Sequence, residues 1–94
     1  MTIREYPPAP QVPVDLLRDY AGTASSIISD CLDRLPGAVG LMPYHATETI
    51  IGTAFTVRTR SGDNFAIHAA LNLVRPGDVM VVDGGGDITQ ALIG

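Results

Sequence analysis

The segment Asp83–Asp87, called the glycine loop below, holds three consecutive glycines between two acidic residues. It follows the apolar run Val79–Val82, which predicts a strand buried on both faces, and precedes a helical pattern over Ile88–Ile93. Glycine adopts positive φ and lets a ligand approach the backbone without a Cβ in the way. N–H groups at a helix start suit a carboxylate or a phosphate. The loop therefore predicts either an anion site, with Gly85, Gly86 and Asp87 as candidate substrate-binding residues, or a tight turn without a ligand.

Two nucleotide-binding motifs fit the glycine loop poorly. The Walker motif requires Gly-Lys-Ser/Thr, and no Lys is near. The dinucleotide fingerprint would need its third glycine at the position of Thr89. A methyltransferase-type loop also begins with strand, Asp and Gly, but this strand comes late in the chain.

Other reactive side chains have simpler interpretations. Asp83 and Asp87 could form a catalytic pair, but capping and hydrogen bonding within the loop are favoured for each. His68 is expected to be partly buried packing rather than a general base. Cys31 lies on the apolar stripe of a predicted helix and is expected to be inert core. No nucleophile, base and orienting group occur together.

Two arginines and a histidine also have both a functional and a simpler interpretation. Arg58 and Arg60 end a predicted strand, where they could hold an acid, although solvated strand-end charges are favoured. His45, in a loop, could reach a neighbouring subunit, and a surface position is the default.

Periodicity and breakers predict the elements that would position these residues. A helix is expected over Val14–Tyr20, and a second over Ala24–Leu35, with Thr23 as its N-cap and Pro36-Gly37 as its stop. Strand character covers Thr49–Thr59, where Gly52 marks a bulge or a close backbone approach. A third helix, capped by Asp63, has its apolar positions at Ile67, Ala70, Leu71 and Val74. The order of elements indicates an α/β fold.

Composition restricts the class of protein. A net charge of −4 without a cluster of Lys and Arg disfavours nucleic acid as a partner. No apolar run reaches the ~20 residues that span a bilayer, and the N-terminus lacks a secretory pattern, so a cytoplasmic location is expected. Residues 1–13 contain four prolines and predict an extended arm that packs on a neighbouring subunit or is solvated. Residues 14–94 are expected to belong to one domain.

Three segments, in order, resemble the RraA-like family, which includes 4-hydroxy-4-methyl-2-oxoglutarate aldolases. They are Thr23–Leu35, Gly52–Arg58 and Arg75–Gly94. The last is the most specific, with Pro-Gly-Asp-Val before the strand, then Val-Val-Asp-Gly-Gly-Gly and Ala-Leu-Ile-Gly. The resemblance covers residues 14–94 and implies a swivelling β/β/α fold assembled as a homotrimer or a hexamer.

The resemblance also implies a reaction. Enzymes of this family cleave a C–C bond in 2-oxo diacids to release pyruvate, and they decarboxylate oxaloacetate. A divalent cation chelated by the 2-oxo acid stabilises the negative charge of the departing enolate. Mg²⁺ or Mn²⁺ suits such an oxygen-rich site.

Only part of the family's site maps onto this sequence. Gly94 matches the first residue of the substrate-binding Gly-Asp stretch. The Asp that follows it in the family, and a later Arg-Asp pair that binds carboxylate and metal, would come after Gly94. The chain is therefore expected to be the N-terminal part of an incomplete RraA-like domain. On its own it would have no catalytic residue, bind no metal and be inactive.

Two other functions remain open at the level of the sequence. Some relatives of this family resemble non-catalytic regulators that bind and inhibit an RNA-degrading endonuclease. Asp87, where such a regulator carries Ser, favours the enzyme. A methyltransferase acting on a quinone precursor is a third possibility, without a cofactor-binding architecture to support it.

Overall fold

A computed structural model of the protein describes residues 3–46, 49–87 and 89. Helices and strands alternate along part of the chain, which confirms a mixed α/β class. The chain divides into two units, residues 1–12 with 52–94 and residues 13–51. The elements are the helices α1 (Val14–Tyr20) and α2 (Ser25–Cys31), the strand β1 (Thr53–Arg58), the helix α3 (Phe65–Leu71) and the strand β2 (Asp78–Asp83).

The first unit is built around a β–α–β arrangement. β1 and β2 pair in parallel, in a register that runs from Thr53 opposite Asp78 to Arg58 opposite Asp83, and α3 connects them. β1 is shorter than the predicted 49–59, because it pairs only along the length of β2, from its first residue to its last. Its side chains alternate between buried or half-buried and exposed positions, as the two-residue period predicts.

Gly52 permits a close approach between backbones just before β1. A Cβ there would lie 2.6 Å from the Gly77 carbonyl oxygen and 2.7 Å from Val79 Cγ2. The predicted close approach is confirmed, since no side chain fits at that spacing.

The core of this unit lies between α3 and the sheet. Ile67 is 1% exposed, and Val57 and Ala70 are also buried. Leu71 is half exposed, so the buried face of α3 is narrower than its apolar stripe. His68 is exposed, and the prediction that it is partly buried packing is wrong. The buried face of α3 is formed by Ile67 and Ala70, with Ala66 packed beside them, and His68 is not part of it.

β2 is less buried than predicted. Val81 is 50% exposed and Val82 37% exposed, so the expectation of burial on both faces is wrong for this part of the chain. Within the described residues β2 has one neighbouring strand, and α3 covers one face of the sheet. A continuous apolar run predicts a strand, but burial on both faces also requires other elements to pack on the strand.

The end of the Pro-rich arm is hydrogen-bonded to the β–α–β unit. Arg75 Nη2 donates to the Ala9 carbonyl oxygen at 2.9 Å, and Gln11 Nε2 donates to the Pro76 carbonyl oxygen at 2.8 Å. The Val12 N–H donates to the hydroxyl of the buried Thr53 at 2.8 Å. Residues 9–12 are therefore held by hydrogen bonds within this chain.

The second unit contains α1 and α2. α1 has the predicted bounds. α2 is shorter than the predicted 24–35, and Thr23 is not its N-cap, because Ala24 takes that position without a side-chain hydrogen bond. The helix ends well before Pro36-Gly37, since Asp33 and Arg34 both have a φ of 58°. The Arg34 N–H donates to the Ser29 carbonyl oxygen at 2.8 Å and closes this left-handed cap.

Neither α1 nor α2 has a buried residue. Cys31 is exposed, so the prediction of an inert core cysteine is wrong. The predicted apolar stripe of α2 is wrong in its second half: Ile27, Ile28 and Cys31 lie in the helix, but Leu32 is its C-cap and Leu35 lies beyond the left-handed residues that end it. Across the described parts of the chain, no helix is long and apolar enough to cross a membrane.

Candidate functional site

The glycine loop and the turn after β1 lie at the same edge of the sheet. Parallel pairing brings the two carboxyl ends together, with Arg58 opposite Asp83. Open α/β sheets bind ligands at this edge, because the loops that leave it meet there. The loops concerned are Thr59–Asn64 after β1 and the glycine loop after β2.

The backbone of the glycine loop requires glycine at two adjacent positions. Gly85 and Gly86 have φ values of 76° and 79°, a region that L side chains rarely adopt. The Gly85 N–H donates to Asp83 Oδ1 at 3.1 Å. The N–H groups of Gly84, Gly86 and Asp87 have no acceptor among the described residues. The loop therefore carries backbone donors that no described residue uses.

Asp87 is held by hydroxyl and amide donors. Ser61 Oγ donates to its Oδ2 at 2.6 Å, while the Thr89 N–H and Oγ1 donate to its Oδ1 at 2.8 and 2.6 Å. These bonds favour the ionised carboxylate and lower the pKa of Asp87 to about 2, with Ser61 contributing most. Asp87 is therefore an anion and a hydrogen-bond acceptor at neutral pH.

Asp83 is also engaged within the site. One oxygen accepts the Gly85 N–H, and the other lies 3.5 Å from Nε of Arg58, both side chains being largely exposed. The predicted role of Asp83 and Asp87 in loop hydrogen bonding is confirmed. Each carboxylate thus makes hydrogen bonds within the loop or to the turn after β1.

The described residues do not fit a divalent cation. Among them, no group of three or more His, Cys, Asp or Glu side chains comes together in a metal-binding arrangement. Both oxygens of Asp87 already accept hydrogen bonds. The ligands that the resemblance implies would have to come from residues other than these.

The structure brings some of the sequence-based candidate residues together and does not describe others. Gly85, Gly86 and Asp87 come together in one loop. Gly94 lies outside the described residues, as does most of the helix expected over Ile88–Ile93. His45 and Arg60 are exposed, as expected for surface positions.

Ser61 is a site residue that was not predicted. It lies in the turn after β1, 26 residues before Asp87, and no short-range motif connects the two. The parallel pairing of the two strands is the feature that could have indicated this contact, because the register places the turn after β1 beside the loop after β2. Asp63 was predicted as the cap of α3, but Asn64 takes the N-cap position. Asp63 lies one residue earlier, and its Oδ1 accepts the N–H of Phe65, the first residue of the helix, at 2.9 Å.

A cavity of about 560 Å³ lies in the same unit and shares Thr59, Arg60 and Asp63 with the turn after β1. The arm, β1 and α3 line it, and no residue of the glycine loop does. Its walls include Tyr6, Phe55, Ala66 and Leu73. The cavity therefore borders the candidate site through the turn after β1 and does not include the glycine loop.

Comparison with known proteins supports one family. The model of the RraA-like family, described as aldolase/RraA, matches residues 25–94. A protein of Halalkalibacterium halodurans named "Putative 4-hydroxy-4-methyl-2-oxoglutarate aldolase" is 35% identical over 85 residues, which are 89% of this chain and 40% of that protein. This chain thus spans less than half the length of that relative. No solved structure matches at a significant level. The chain belongs to the RraA-like family.

Proposed function

We propose that this chain is the N-terminal part of a divalent-metal-dependent lyase that cleaves a C–C bond in 2-oxo diacids and releases pyruvate. The observation that carries the proposal is the glycine loop, where N–H groups without a described acceptor lie at the carboxyl edge of a parallel sheet. The name of the Halalkalibacterium halodurans relative, an aldolase of a 2-oxo diacid, supports the substrate class.

The chemistry assigned to these residues is binding. A substrate carboxylate accepts hydrogen bonds from the backbone N–H groups of Gly86 and Asp87, and Gly94 adds a contact. Gly85, whose N–H donates to Asp83, shapes the loop between them. Backbone donors suit a carboxylate because they are fixed before the ligand arrives. The Asp87 carboxylate lies in the same loop and stays away from the substrate, tied to Ser61 and Thr89.

The proposed enzyme depends on Mg²⁺ or Mn²⁺, held by residues other than those described. It works in the cytoplasm as a homotrimer or a hexamer, the assembly implied by the resemblance. Sedimentation of the full-length protein would test the assembly, and a monomer at micromolar concentration would contradict it.

Pyruvate release from oxaloacetate tests the activity. The full-length protein is incubated with oxaloacetate and Mg²⁺, and pyruvate is followed through a coupled lactate dehydrogenase. We expect turnover above the rate for free Mg²⁺, and its loss with EDTA. Absence of turnover with oxaloacetate and with 4-hydroxy-4-methyl-2-oxoglutarate would contradict the proposal and leave a binding role.

A pair of matched variants tests the loop itself. Gly86 and Gly22 both have a φ of 79°, and nothing lies within 4 Å of a Cβ built at either position. Gly86→Ala and Gly22→Ala therefore introduce similar backbone strain, but only the first alters the loop. We expect Gly86→Ala to raise KM for oxaloacetate and Gly22→Ala to leave it unchanged. Equal effects of the two variants would contradict a binding role for the loop.

A further inference from the structure

Ser61 contacts the glycine loop at two points from outside it. Its Oγ donates to Asp87 Oδ2 at 2.6 Å. Its backbone N and its Cβ lie 3.8 and 3.9 Å from where a Cβ of Gly85 would be. These contacts flank Gly86, whose N–H has no described acceptor.

A loop of three glycines needs such a restraint if it is to bind an anion well. Glycine loses more conformational freedom on ordering than any other residue. Binding is weaker when the ligand has to order the loop, and stronger when donors are already in place. The Thr89 bonds to Asp87 are local and cannot tie the loop to the rest of the sheet. The bond from Ser61 does, because Ser61 follows β1.

We propose that Ser61 is a positioning residue of the substrate site: by holding Asp87, it orders the glycine loop before the 2-oxo acid binds. This role rests on the function proposed above. Ser61 does not touch the reacting atoms, so its effect falls on substrate binding rather than on the chemical step. The low pKa of Asp87 supports the role, since the carboxylate remains an acceptor for Ser61 throughout the neutral range.

Steady-state kinetics of the full-length protein with oxaloacetate and Mg²⁺ test the proposal. We expect Ser61→Ala to raise KM by about three- to tenfold, as for the loss of one hydrogen bond, with kcat almost unchanged. Ser61→Thr keeps a hydroxyl and should restore KM to near the wild-type value. Ser26→Ala, an exposed serine of α2, is the matched control and should change neither constant.

A carboxyl-carbon NMR titration of Asp87 supplies a readout independent of activity. The pKa of Asp87 should rise from about 2 towards its ordinary value of 3.8 in Ser61→Ala, and stay low in Ser61→Thr. If Ser61→Ala does not fold, it will show no selective shift in the pKa of Asp87. The KM and the Asp87 pKa of Ser61→Thr then test the positioning role, and both should stay near the wild-type values.

The results separate failure of this inference from failure of the proposed function. An active wild type with an unchanged KM in Ser61→Ala overturns the role of Ser61 alone. Equal losses in Ser61→Ala and Ser61→Thr also overturn it, because the hydroxyl would then not matter. A wild type without turnover on any 2-oxo diacid overturns the proposed function, and the positioning role with it.

Discussion

Asp87 is an acid whose ionisation is set by hydroxyl and amide donors rather than by a cation. Its two oxygens accept hydrogen bonds from Ser61 and Thr89, which favour the charged form. The pKa of Asp87 therefore falls from 3.8 to about 2. A carboxylate with so low a pKa is a weak general base near neutral pH, which favours a structural contribution from Asp87.

The depressed pKa of Asp87 predicts a window of acid sensitivity. A carboxylate with a lowered folded pKa contributes stability that is complete above its unfolded pKa and is lost as the pH falls through the folded pKa. For Asp87 the loss runs from about pH 4 down to about pH 2. In thermal unfolding of the full-length protein, the midpoint of Asp87→Asn should lie below the wild type at neutral pH and converge with it across that window.

The control for this experiment is Asp15→Asn, which removes one exposed carboxylate from α1. It corrects for the change in net charge. A wild-type advantage over Asp87→Asn that stays constant from pH 7 to pH 2 would contradict the assignment.

At the scale of elements, hydrogen bonds join the arm to the β–α–β unit at a turn before β2. Arg75 donates through its backbone N–H and Nε to Asp78 Oδ2, at 2.9 and 3.0 Å, and Gln11 donates to Asp78 Oδ1 at 3.1 Å. The side chain of Asp78 is inaccessible to solvent, and these bonds, with Arg75 first, lower its pKa. One carboxylate thus organises the turn and the end of the arm.

The bond between Val12 and Thr53 gives a test of this junction. Thr53→Val keeps the shape of the side chain and removes the acceptor for the Val12 N–H. We expect a loss of about 1 kcal/mol in the free energy of unfolding, and faster hydrogen exchange at the Val12 amide.

Thr53→Ser is the matched control, because it keeps the hydroxyl and should preserve the slow exchange at Val12. Slow exchange in Thr53→Val would show that another group protects this amide.

The packing of α3 on the sheet depends on Ile67, which is 1% exposed. Ile67→Ala should lower the free energy of unfolding by about 2–3 kcal/mol, the low end for large-to-small changes, because the surrounding core is small. Leu71→Ala, on the same helix but half exposed, should cost less than half as much. Urea denaturation measures both, and equal losses would show that α3 does not face the sheet through Ile67.

At the scale of the whole molecule, the chain contains the glycine loop. Its described residues include no group of side chains that could hold a metal ion. It spans 40% of its Halalkalibacterium halodurans relative. Large apolar side chains of residues 13–51 are exposed, among them Ile27, Leu32, Leu35, Val39 and Leu41. Both features fit our proposal that the lyase site is completed by residues other than those described.

This proposal predicts a difference between the 94-residue chain and the full-length protein. The chain alone should release no pyruvate from oxaloacetate above the Mg²⁺ background, because no described group of side chains can hold the cation. The full-length protein should do so in the same coupled assay. Metal-dependent turnover by the 94-residue chain would contradict this assignment of the metal site.

The sequence predicted local structure well where proline, glycine or the alternation of side chains restricts the backbone. Pro13 and Gly22 flank α1, which has the expected bounds. Alternation in β1 and the close approach at Gly52 were also predicted correctly. The end of α2 was wrong, because the left-handed cap at Asp33 and Arg34 uses residues that rarely adopt positive φ. Local composition favoured Pro36-Gly37 instead.

By itself, then, the sequence determined the order of the elements and the glycine-dependent conformation of the loop, since both follow from the preferences of neighbouring residues. Only the tertiary structure decided that Ser61 reaches Asp87, and that Cys31, Val81 and Val82 are exposed. The physical reason is that a contact across 26 residues depends on strand register, and burial depends on which element covers a surface. Neither is encoded in the periodicity of a single segment.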